Sequence, residues 1–426
     1  MAKKIENTDL IIQRFAAMQS ITDLLELLNL VKKELYGEKA NPFSLRQLNY
    51  YSLSKLQAQH YRQWSIPKKN GGERTIHAPV NGLKHVQACL NAILQVLFEP
   101  HYAAMGFLPG KSIVDNAKKH ASKGFVYNLD LKDFFPSIPR ERVWACLLLP
   151  PFNLGSSTER RQLANRISFL CTASIEITDA ERGKILNTFL PQGAPTSPTI
   201  TNIIARKLDR RLQGVANKYH LTYSRYADDI TFSGNSNVFK KSGEVVLEIR
   251  RIIEDQKFQV NDKKVRLQQQ GYRQEVTGLI VNEKVNVPRR YYRQLRNWLY
   301  LWETYGKEKA SKLFLKDYRA DKGYKRDGLP DMDCVIGGKL DYLKMVKGQD
   351  DPLFAKLNAR YLRLSNIESQ QGESRSYIKT SQESSKKEKK KNVEEGKEPR
   401  KLIETVLEMI NRDSFEKAME YFLSKK

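Results

Sequence analysis

Apolar residues recur at helical spacing in the first hundred residues of the chain. Residues 21–31 form a broad apolar stripe, and Ser20 with Asp23 has the spacing of an N-terminal capping box, so a helix is predicted there. A second stripe runs from Leu83 to Leu97 and keeps to one face of another predicted helix.

A long helix is predicted after the loop at residues 190–196. Ser197 is a suitable N-cap, and Pro198 suits the first helical position because no amide hydrogen is needed there. Its buried stripe is expected to comprise Ile203, Ile204, Leu208 and Leu212.

Other segments are rich in β-forming residues and are separated by turn signals, which predicts strands and hairpins. These segments are residues 61–79 around Asn70-Gly71-Gly72, 125–139 with Pro136 expected to end or bend the run, 221–234 around a tight Ala227-Asp228 turn, and 275–287 around Asn282-Glu283.

The composition narrows the class of protein. The 426 residues exceed what one core usually organises, and 40% are apolar, so two or three folded lobes are expected. Lys and Arg number 73 against 48 Asp and Glu, a net charge of 73 − 48 = +25. That excess indicates a polyanionic partner, most simply nucleic acid; the alternative is a basic charge that serves solubility.

The setting is expected to be reducing and cytoplasmic. Four scattered cysteines lack metal-ligand spacing and are too few to staple a chain of this size. The N-terminus is charged where a signal peptide needs an apolar stretch, and no apolar run approaches a membrane span. No membrane partner is therefore predicted.

The C-terminal third changes in character. Basic and aromatic residues interleave on predicted helix between residues 288 and 325. Residues 371–400 are polar, charged and nearly devoid of apolar side chains, which predicts a disordered linker. Residues 401–426 regain a helical apolar pattern, and such a short appendix is expected to dock on another surface.

Three aspartates are the strongest candidates for chemistry. Asp228 and Asp229 are adjacent at the predicted hairpin turn, and Asp130 lies in the strand-like NLDLKDFF run. An Asp-Asp pair in a turn is usually only a turn, but three converging carboxylates provide the oxygen ligands that Mg²⁺ prefers. Two such ions could activate a 3′-hydroxyl and stabilise a leaving pyrophosphate.

These aspartates belong to an ordered set of seven motifs. The motifs are PKKNGGERTIHAP, Asn116-Ala117-Lys118-Lys119-His120, NLDLKDFFPSI, LPQGAPTSPTITN, RYADD, FQVNDKK and Val276-Thr277-Gly278. In order and spacing the set resembles reverse transcriptases over about residues 60–300. Two of the motifs, the NAxxH and VTG sequences, are similar to those of retron reverse transcriptases.

The resemblance implies a metal site. It assigns metal binding to Asp130 and Asp228, with Asp229 as a supporting carboxylate and the Leu131 carbonyl as a further ligand. It implies two Mg²⁺ ions, for which Mn²⁺ can substitute. It also implies that Lys264 protonates the leaving pyrophosphate, the alternative being a solvated surface lysine.

The resemblance further implies a nucleotide site and a nucleic-acid surface. Phe135 is expected to exclude rNTPs by colliding with the 2′-hydroxyl, although a core role is the alternative because Phe134 is equally aromatic. Asn116 and His120 are either template or RNA contacts or a buried hydrogen-bonded pair. The other implied contacts are Lys68, Arg74, Gln192 and Gly193 for the nucleotide, and Arg289, Arg290, Arg293 and Arg296 for nucleic acid.

The implied fold is α+β, a right-hand polymerase whose palm is an antiparallel sheet backed by helices. No RNase H domain is readable. The expected divisions are an N-terminal helical region at 1–60, fingers at 61–124, palm at 125–287, a helical thumb at 288–370, the linker at 371–400 and the helical appendix at 401–426.

The expected function is that of an RNA-directed DNA polymerase that copies a dedicated structured non-coding RNA into cDNA from dNTPs, in defence against phage. Two subtypes stay open: a retron enzyme, favoured by the NAxxH and VTG matches, and another defence-associated reverse transcriptase. A homo-oligomer or an effector protein is a further candidate partner. The alternative of another class is a catalytically idle, polymerase-like RNA-binding module.

Overall fold

The structure is a computed structural model that describes residues 5–52, 59–68, 71–179, 183–322 and 330–366. The predicted linker at 371–400 and appendix at 401–426 lie outside these residues. The chain divides into two units at Asn358 and Ala359. Every feature discussed below belongs to the first unit, and of the second only the helical residues 359–366 are described.

Three helices open the chain, and the second begins with the predicted capping box. The Asp23 amide donates to Ser20 Oγ at 3.2 Å, and the Ser20 amide donates to the Asp23 carboxylate at 2.8 Å. This reciprocal pair satisfies backbone donors that the first helical turn leaves free. The three helices are α1 (Thr8–Ala17), α2 (Ile21–Tyr36) and α3 (Leu45–Tyr51).

The segment after them forms the predicted hairpin and helix. Strands β1 (Tyr61–Pro67) and β2 (Glu73–Pro79) pair in antiparallel register. Gly71 and Gly72 both have positive φ in the reversal between them, a conformation that glycine adopts without steric cost. Helix α4 (Asn81–Leu97) follows and buries its apolar face, as the stripe predicts.

A four-stranded antiparallel sheet carries the aspartates. Its strands are β3 (Phe125–Asp130), β6 (Thr222–Tyr226), β7 (Asp229–Gly234) and β8 (Arg266–Gln269). Their order across the sheet is β6-β7-β3-β8, so the two strands that bear Asp130 and Asp229 are central neighbours. The predicted tight turn is confirmed, because only Ala227 and Asp228 separate β6 from β7.

Two long helices pack beside this sheet. Helix α8 (Ser197–Lys218) contacts β6 and helix α9 (Glu244–Asp255), and its predicted stripe faces the core. The prediction of Ser197 as the N-cap is wrong, since Thr196 holds that position. Ser197 is already helical, and its hydroxyl donates to the Pro191 carbonyl at 2.7 Å, which anchors the preceding loop.

Three shorter helices and one more hairpin lie between residues 113 and 189. They are α5 (Ile113–Lys118), α6 (Arg140–Leu148), α7 (Thr158–Cys171), β4 (Ala173–Asp179) and β5 (Gly183–Phe189). Buried residues of α6 and α7 belong to the main core cluster, together with those of α2, α4 and α8.

The hairpin predicted at residues 275–287 turns earlier than expected. Strands β9 (Glu275–Val276) and β10 (Leu279–Ile280) reverse at Thr277 and Gly278, which have φ of 47° and 83°. Two positive φ values suit the two-residue hairpin turn, and glycine fills one of them. The expected reversal at Asn282-Glu283 is also present in the following loop, where Ile280 and Asn286 form an antiparallel bridge and exchange backbone hydrogen bonds of 2.8 and 2.9 Å. The additional turn at Thr277-Gly278 was not predicted.

The basic-aromatic segment is helical, as predicted. Helix α10 (Arg289–Lys322) bends at Gly306, whose φ of 71° is not helical. Helix α11 (Met332–Lys347) packs against it. Trp298 and Trp302 are buried, so these aromatics form the core of this helical region. Among the described residues, no helix is both long and apolar enough to cross a membrane.

Candidate active site

The three aspartates meet at one end of the central sheet. Strand β3 ends at Asp130 and β7 begins at Asp229, and these two residues are direct cross-strand partners. Asp228 precedes Asp229 in the two-residue turn. The Leu131 amide donates to the Asp228 carbonyl at 3.0 Å, which ties the turn to the end of β3. Residues separated by about a hundred positions in sequence are thus brought together.

The backbone of Leu131 is placed beside this cluster. Leu131 forms an antiparallel bridge with Val260. The hydrogen bonds of that bridge come from the flanking amides of Asn261 and Lys132, both at 2.8 Å. Neither bond uses the Leu131 carbonyl, so the bridge leaves that oxygen available for the predicted ligand role.

Asp130 is the most strongly held of the three carboxylates. Lys264 Nζ lies 2.8 Å from its Oδ2, and the Asn261 side-chain amide donates to its Oδ1 at 3.2 Å. The Asp130 side chain is 9% exposed, whereas that of Lys264 is 51% exposed. The lysine therefore neutralises a largely buried carboxylate while its own head stays in contact with water.

The other two carboxylates resist ionisation. Burial, followed by the negative charge of Asp130, raises the pKa of Asp228, and nearby Lys264 and Arg74 oppose that rise. Loss of solvent, followed by the charges of Asp228 and Asp130, raises the pKa of Asp229 to about 7, although the residue as a whole is solvent-exposed. A site that crowds negative charge in this way is suited to a cation.

The donor set fits a hard divalent cation. Carboxylate and carbonyl oxygens are the ligands that Mg²⁺ selects. Burial first, and then the neighbouring carboxylate charges, raise the pKa of Asp228 and Asp229, so a bound cation would offset the crowded negative charge. Within the described residues, no three His, Cys, Asp or Glu side chains stand in a ready-made ligand arrangement.

The two adjacent phenylalanines differ in their surroundings. Phe134 is 3% exposed and packs against Phe258 at a ring separation of 5.4 Å. Phe135 is only half-buried, and its ring lies 5.9 Å from that of Phe107. Of the pair, Phe134 is the core residue, and Phe135 is the one accessible from outside.

The Gln192-Gly193 loop is joined to the β1–β2 hairpin of the expected fingers region (the fingers hairpin). The His77 amide of β2 donates to the Gln192 carbonyl at 2.9 Å. Gly193 has φ of 131°, and a Cβ there would lie 2.9 Å from the His77 carbonyl oxygen. Only glycine permits this close approach of the two backbones.

The two predicted phosphate-binding cations, Lys68 and Arg74, are both exposed on the same hairpin. Arg74 of β2 is exposed and is close enough to favour the charged form of Asp228. Lys68 is exposed where β1 ends, and its amide donates to the Gly72 carbonyl at 2.9 Å. Arg74 is thus close enough to the aspartate site to interact electrostatically with Asp228.

Comparison with known proteins decides the family. The family model "Reverse transcriptase (RNA-dependent DNA polymerase)" matches residues 66–285, just over half of the chain. This span contains all three aspartates and the fingers hairpin's second strand. The chain belongs to the reverse transcriptase family.

Individual members of the reverse transcriptase family show which branch the chain resembles. It is 37% identical over 279 residues to the retron Mx162 reverse transcriptase of Myxococcus xanthus, covering 61% of this chain and 56% of that protein. It is 34% identical to the retron Mx65 enzyme of the same organism, covering 60% of each chain. The retron Ec86 reverse transcriptase of Escherichia coli is 33% identical over 55% of this chain and 68% of its own. The chain thus spans less than two thirds of the first two relatives.

The two motifs that resemble retron reverse transcriptases lie next to each other. The VTG turn packs on α5, and Thr277 Oγ1 donates to the Ile113 carbonyl at 3.4 Å. Helix α5 carries Asn116, and His120 follows its C-terminus. One structural unit therefore contains both motifs.

Of the two interpretations of Asn116 and His120, the buried hydrogen-bonded pair is confirmed, and direct contact with RNA or template is wrong. The two residues are 1% and 0% exposed. Ser224 Oγ donates to Asn116 Oδ1 at 2.6 Å, so its hydroxyl must accept from His120 Nε2, 2.7 Å away. His120 Nδ1 then accepts from Ser233 Oγ at 2.7 Å. The pair joins α5 to β6 and β7, and burial lowers the pKa of His120 to about 3, so it stays neutral.

The four predicted thumb arginines remain candidates for nucleic-acid contact. All four are exposed at the start of α10. Two of them, Arg290 and Arg293, line a surface groove that also contains Asn297 and Asp317. Positive side chains at a helix surface can bind phosphates and release counterions.

A buried network beneath the turn was not predicted. Arg225 is 0% exposed, and its guanidinium donates to both Asp209 oxygens at 2.7 Å. It also donates to the Ala227 carbonyl at 3.0 Å. The available signals were Arg225 in a strand that is otherwise internal, and Asp209 beside the apolar stripe of α8. A buried charge requires a partner, which these two residues provide for each other.

Proposed function

We propose that this protein is an RNA-directed DNA polymerase of the retron type that copies a structured non-coding RNA into cDNA by two-metal-ion nucleotidyl transfer. The observation that carries the proposal is the convergence of Asp130, Asp228 and Asp229 at one end of the sheet. Membership of the reverse transcriptase family supports it, as do relatives named retron reverse transcriptases. A basic net charge of +25 suits a nucleic-acid partner.

The aspartates and the Leu131 carbonyl would hold two Mg²⁺ ions, or Mn²⁺ in their place. When bound, such ions activate the primer 3′-hydroxyl and stabilise charge on the leaving pyrophosphate. The crowded carboxylates give this site its attraction for cations, which their raised pKa values reflect.

The other proposed roles follow the positions of the side chains. Arg74 and Lys68 bind the triphosphate from the fingers hairpin, and Gln192 with Gly193 lines the nucleotide site beside β2. The half-buried Phe135 ring excludes a ribose 2′-hydroxyl, whereas Phe134 is committed to the core.

Lys264 takes two roles in sequence. In the structure it forms an ion pair with Asp130. A cation held by Asp130 would compete with this ion pair for the same carboxylate and would leave the Lys264 ammonium group free for another contact. Its exposed head then donates a proton from Nζ to the leaving pyrophosphate.

Primer extension tests the proposal directly against an idle RNA-binding module. The full chain is incubated with Mg²⁺, a primed RNA and labelled dNTPs, and separately with a primed DNA. Incorporation on RNA that chelation by EDTA abolishes supports the polymerase. RNA binding without dNTP incorporation, with Mg²⁺ or with Mn²⁺ in its place, supports the idle module.

Sequencing the nucleic acids that co-purify with the protein tests the retron assignment. A retron enzyme yields one dominant RNA together with short cDNA copied from part of it, joined by a branch at an RNA 2′-hydroxyl. Unbranched cDNA from a dominant RNA indicates another defence-associated reverse transcriptase. The role in phage defence stays a prediction from the resemblance.

A further inference from the structure

The turn that carries Asp228 has a strained backbone. Ala227 is the first of its two residues and has φ of 57°, while the second residue is not in the left-handed region. This pattern normally takes glycine at the first position, because a Cβ is disfavoured there. A strained turn persists only where its surroundings hold it.

Arg225 holds the turn from the interior. Its Nη1 donates to the Ala227 carbonyl at 3.0 Å. Its Nε and Nη2 are fixed by the two oxygens of Asp209, each at 2.7 Å. Both side chains of this ion pair are 0% exposed. The planar guanidinium can reach the carboxylate and the carbonyl at once, which a lysine ammonium cannot do in the same geometry.

Asn202 connects this ion pair to the loop on the other side of the turn. Its Oδ1 accepts from Arg225 Nη2 at 3.1 Å, and its Nδ2 donates to the Gly106 carbonyl at 3.0 Å. A Cβ on Gly106 would lie 2.6 Å from the Ala227 amide nitrogen, so this loop presses directly on the turn. Asn202 and Asp209 are two helical turns apart on α8 and share a face.

We propose that Arg225, Asp209 and Asn202 form a positioning network that sets the conformation of the Ala227-Asp228 turn and thereby the affinity of the aspartate site for divalent cations. The inference rests on the proposed function for its metal. A purely structural role explains these contacts less well, because apolar residues often replace a buried ion pair without loss of stability. The network's distinguishing feature is the bond to the turn itself.

The test compares two variants that differ in that bond. Arg225→Lys retains a positive charge but loses the fork that reaches Ala227. Tyr223→Phe is the matched control: the Tyr223 hydroxyl donates to the same Asp209 at 2.7 Å without touching the turn. Mn²⁺ binding to the full-length protein is measured by electron paramagnetic resonance titration without nucleic acid, and thermal unfolding is measured in parallel.

Arg225→Lys is expected to weaken Mn²⁺ affinity at least tenfold, and Tyr223→Phe less than twofold, even where both lower the melting temperature. Asn202→Ala, which leaves the ion pair in place, is expected to weaken affinity about threefold and decides the matter if Arg225→Lys does not fold. Three results overturn the inference. The first is that the folded variants keep the Mn²⁺ affinity of the wild type, the second is that Tyr223→Phe loses as much Mn²⁺ affinity as Arg225→Lys, and the third is that the wild type itself binds no Mn²⁺.

The same preparations separate this inference from the proposed function. dNTP incorporation by the wild type tests the polymerase, and the ratio of Mn²⁺ affinities tests the network. A wild type that binds Mn²⁺ but incorporates nothing contradicts the polymerase alone. An active wild type whose Arg225→Lys variant keeps full affinity contradicts the network alone. In active variants, the network further predicts a higher Mg²⁺ requirement with an unchanged KM for dNTP.

Discussion

Lys264 and Asp130 form an ion pair of 2.8 Å at the centre of the aspartate site. Lys264→Met should therefore have two opposite effects. Without the competing ammonium, Mn²⁺ affinity of the free protein should rise about threefold to tenfold. Without the proton donor, dNTP incorporation at saturating Mg²⁺ should fall at least tenfold, or about 1.4 kcal/mol in the barrier.

Lys263, the exposed neighbour of Lys264, provides the control for Lys264→Met. Lys263→Met removes the same charge one residue away and should leave both quantities within twofold of the wild type. If Lys264→Met lowers Mn²⁺ affinity, the ion pair does not compete with the cation. If incorporation is unchanged, Lys264 is not the proton donor.

Sugar selection should depend on Phe135. Replacing the half-buried ring by Ala or Val removes the proposed clash with the 2′-hydroxyl and should raise rNTP use relative to dNTP at least tenfold. The measurement is the ratio of kcat/KM for the two nucleotides. Phe134→Ala should leave that ratio unchanged and instead destabilise the protein by about 3–5 kcal/mol, because its ring is buried. Relaxed selection in Phe134→Ala alone would place the gate one residue earlier.

The buried His120 should make stability sensitive to acid. Its pKa is lowered to about 3 in the folded state, so the unfolded chain takes up a proton near pH 6.5 and the native protein does not. Stability contributed by the neutral imidazole is present above pH 6.5 and is lost as pH falls from 6.5 towards 3, by at most about 1.4 kcal/mol per pH unit.

His120→Gln should remove that dependence. The variant should be less stable than the wild type at pH 7 by about 1–3 kcal/mol, and the gap should shrink at pH 5 in urea unfolding. His220→Gln, at an exposed position, should leave the pH profile unchanged. A constant gap between wild type and His120→Gln across this range contradicts the assignment of a neutral buried histidine.

Gly106 should be intolerant of any side chain. A Cβ there meets the Ala227 amide nitrogen at 2.6 Å, and backbone cannot move as a flexible side chain does. Gly106→Ala should destabilise the protein by about 1–3 kcal/mol. Gly214→Ala is the matched control in α8, where a Cβ meets nothing within 4 Å, and it should stabilise by about 0.5–1 kcal/mol. Equal effects of the two substitutions on unfolding by urea would show that the Gly106 loop does not press on the turn.

Local signals in the sequence were sufficient for much of the architecture. The capping box at Ser20 and Asp23 and the two-residue turn at Ala227-Asp228 depend on neighbouring residues, and both are present. The turn at Thr277-Gly278 was missed because it requires a left-handed threonine, which residue preferences disfavour.

Long-range contacts explain the other errors. The helical spacing of Asn116 and His120 left open whether they contact RNA or form a buried pair, and the choice depends on Ser224 and Ser233, more than a hundred residues away. Serine hydroxyls on adjacent strands cannot be recognised as partners without the register of the sheet. The role of Arg225 was hidden for the same reason, because Asp209 is its partner only once α8 packs on β6.

The proposed function depends above all on Asp130, Asp228 and Asp229 as the metal site of an RNA-directed DNA polymerase. The most direct measurement is single-turnover dNTP incorporation on a primed RNA, with Mg²⁺, by the wild type and by Asp228→Ala with Asp229→Ala. Asp9→Asn, at an exposed aspartate of α1, is the control. We expect no detectable dNTP incorporation by the double variant. Its RNA binding and its melting temperature should be retained, because the two carboxylates that it lacks repel each other. Wild-type incorporation by the double variant would contradict this assignment of the metal site.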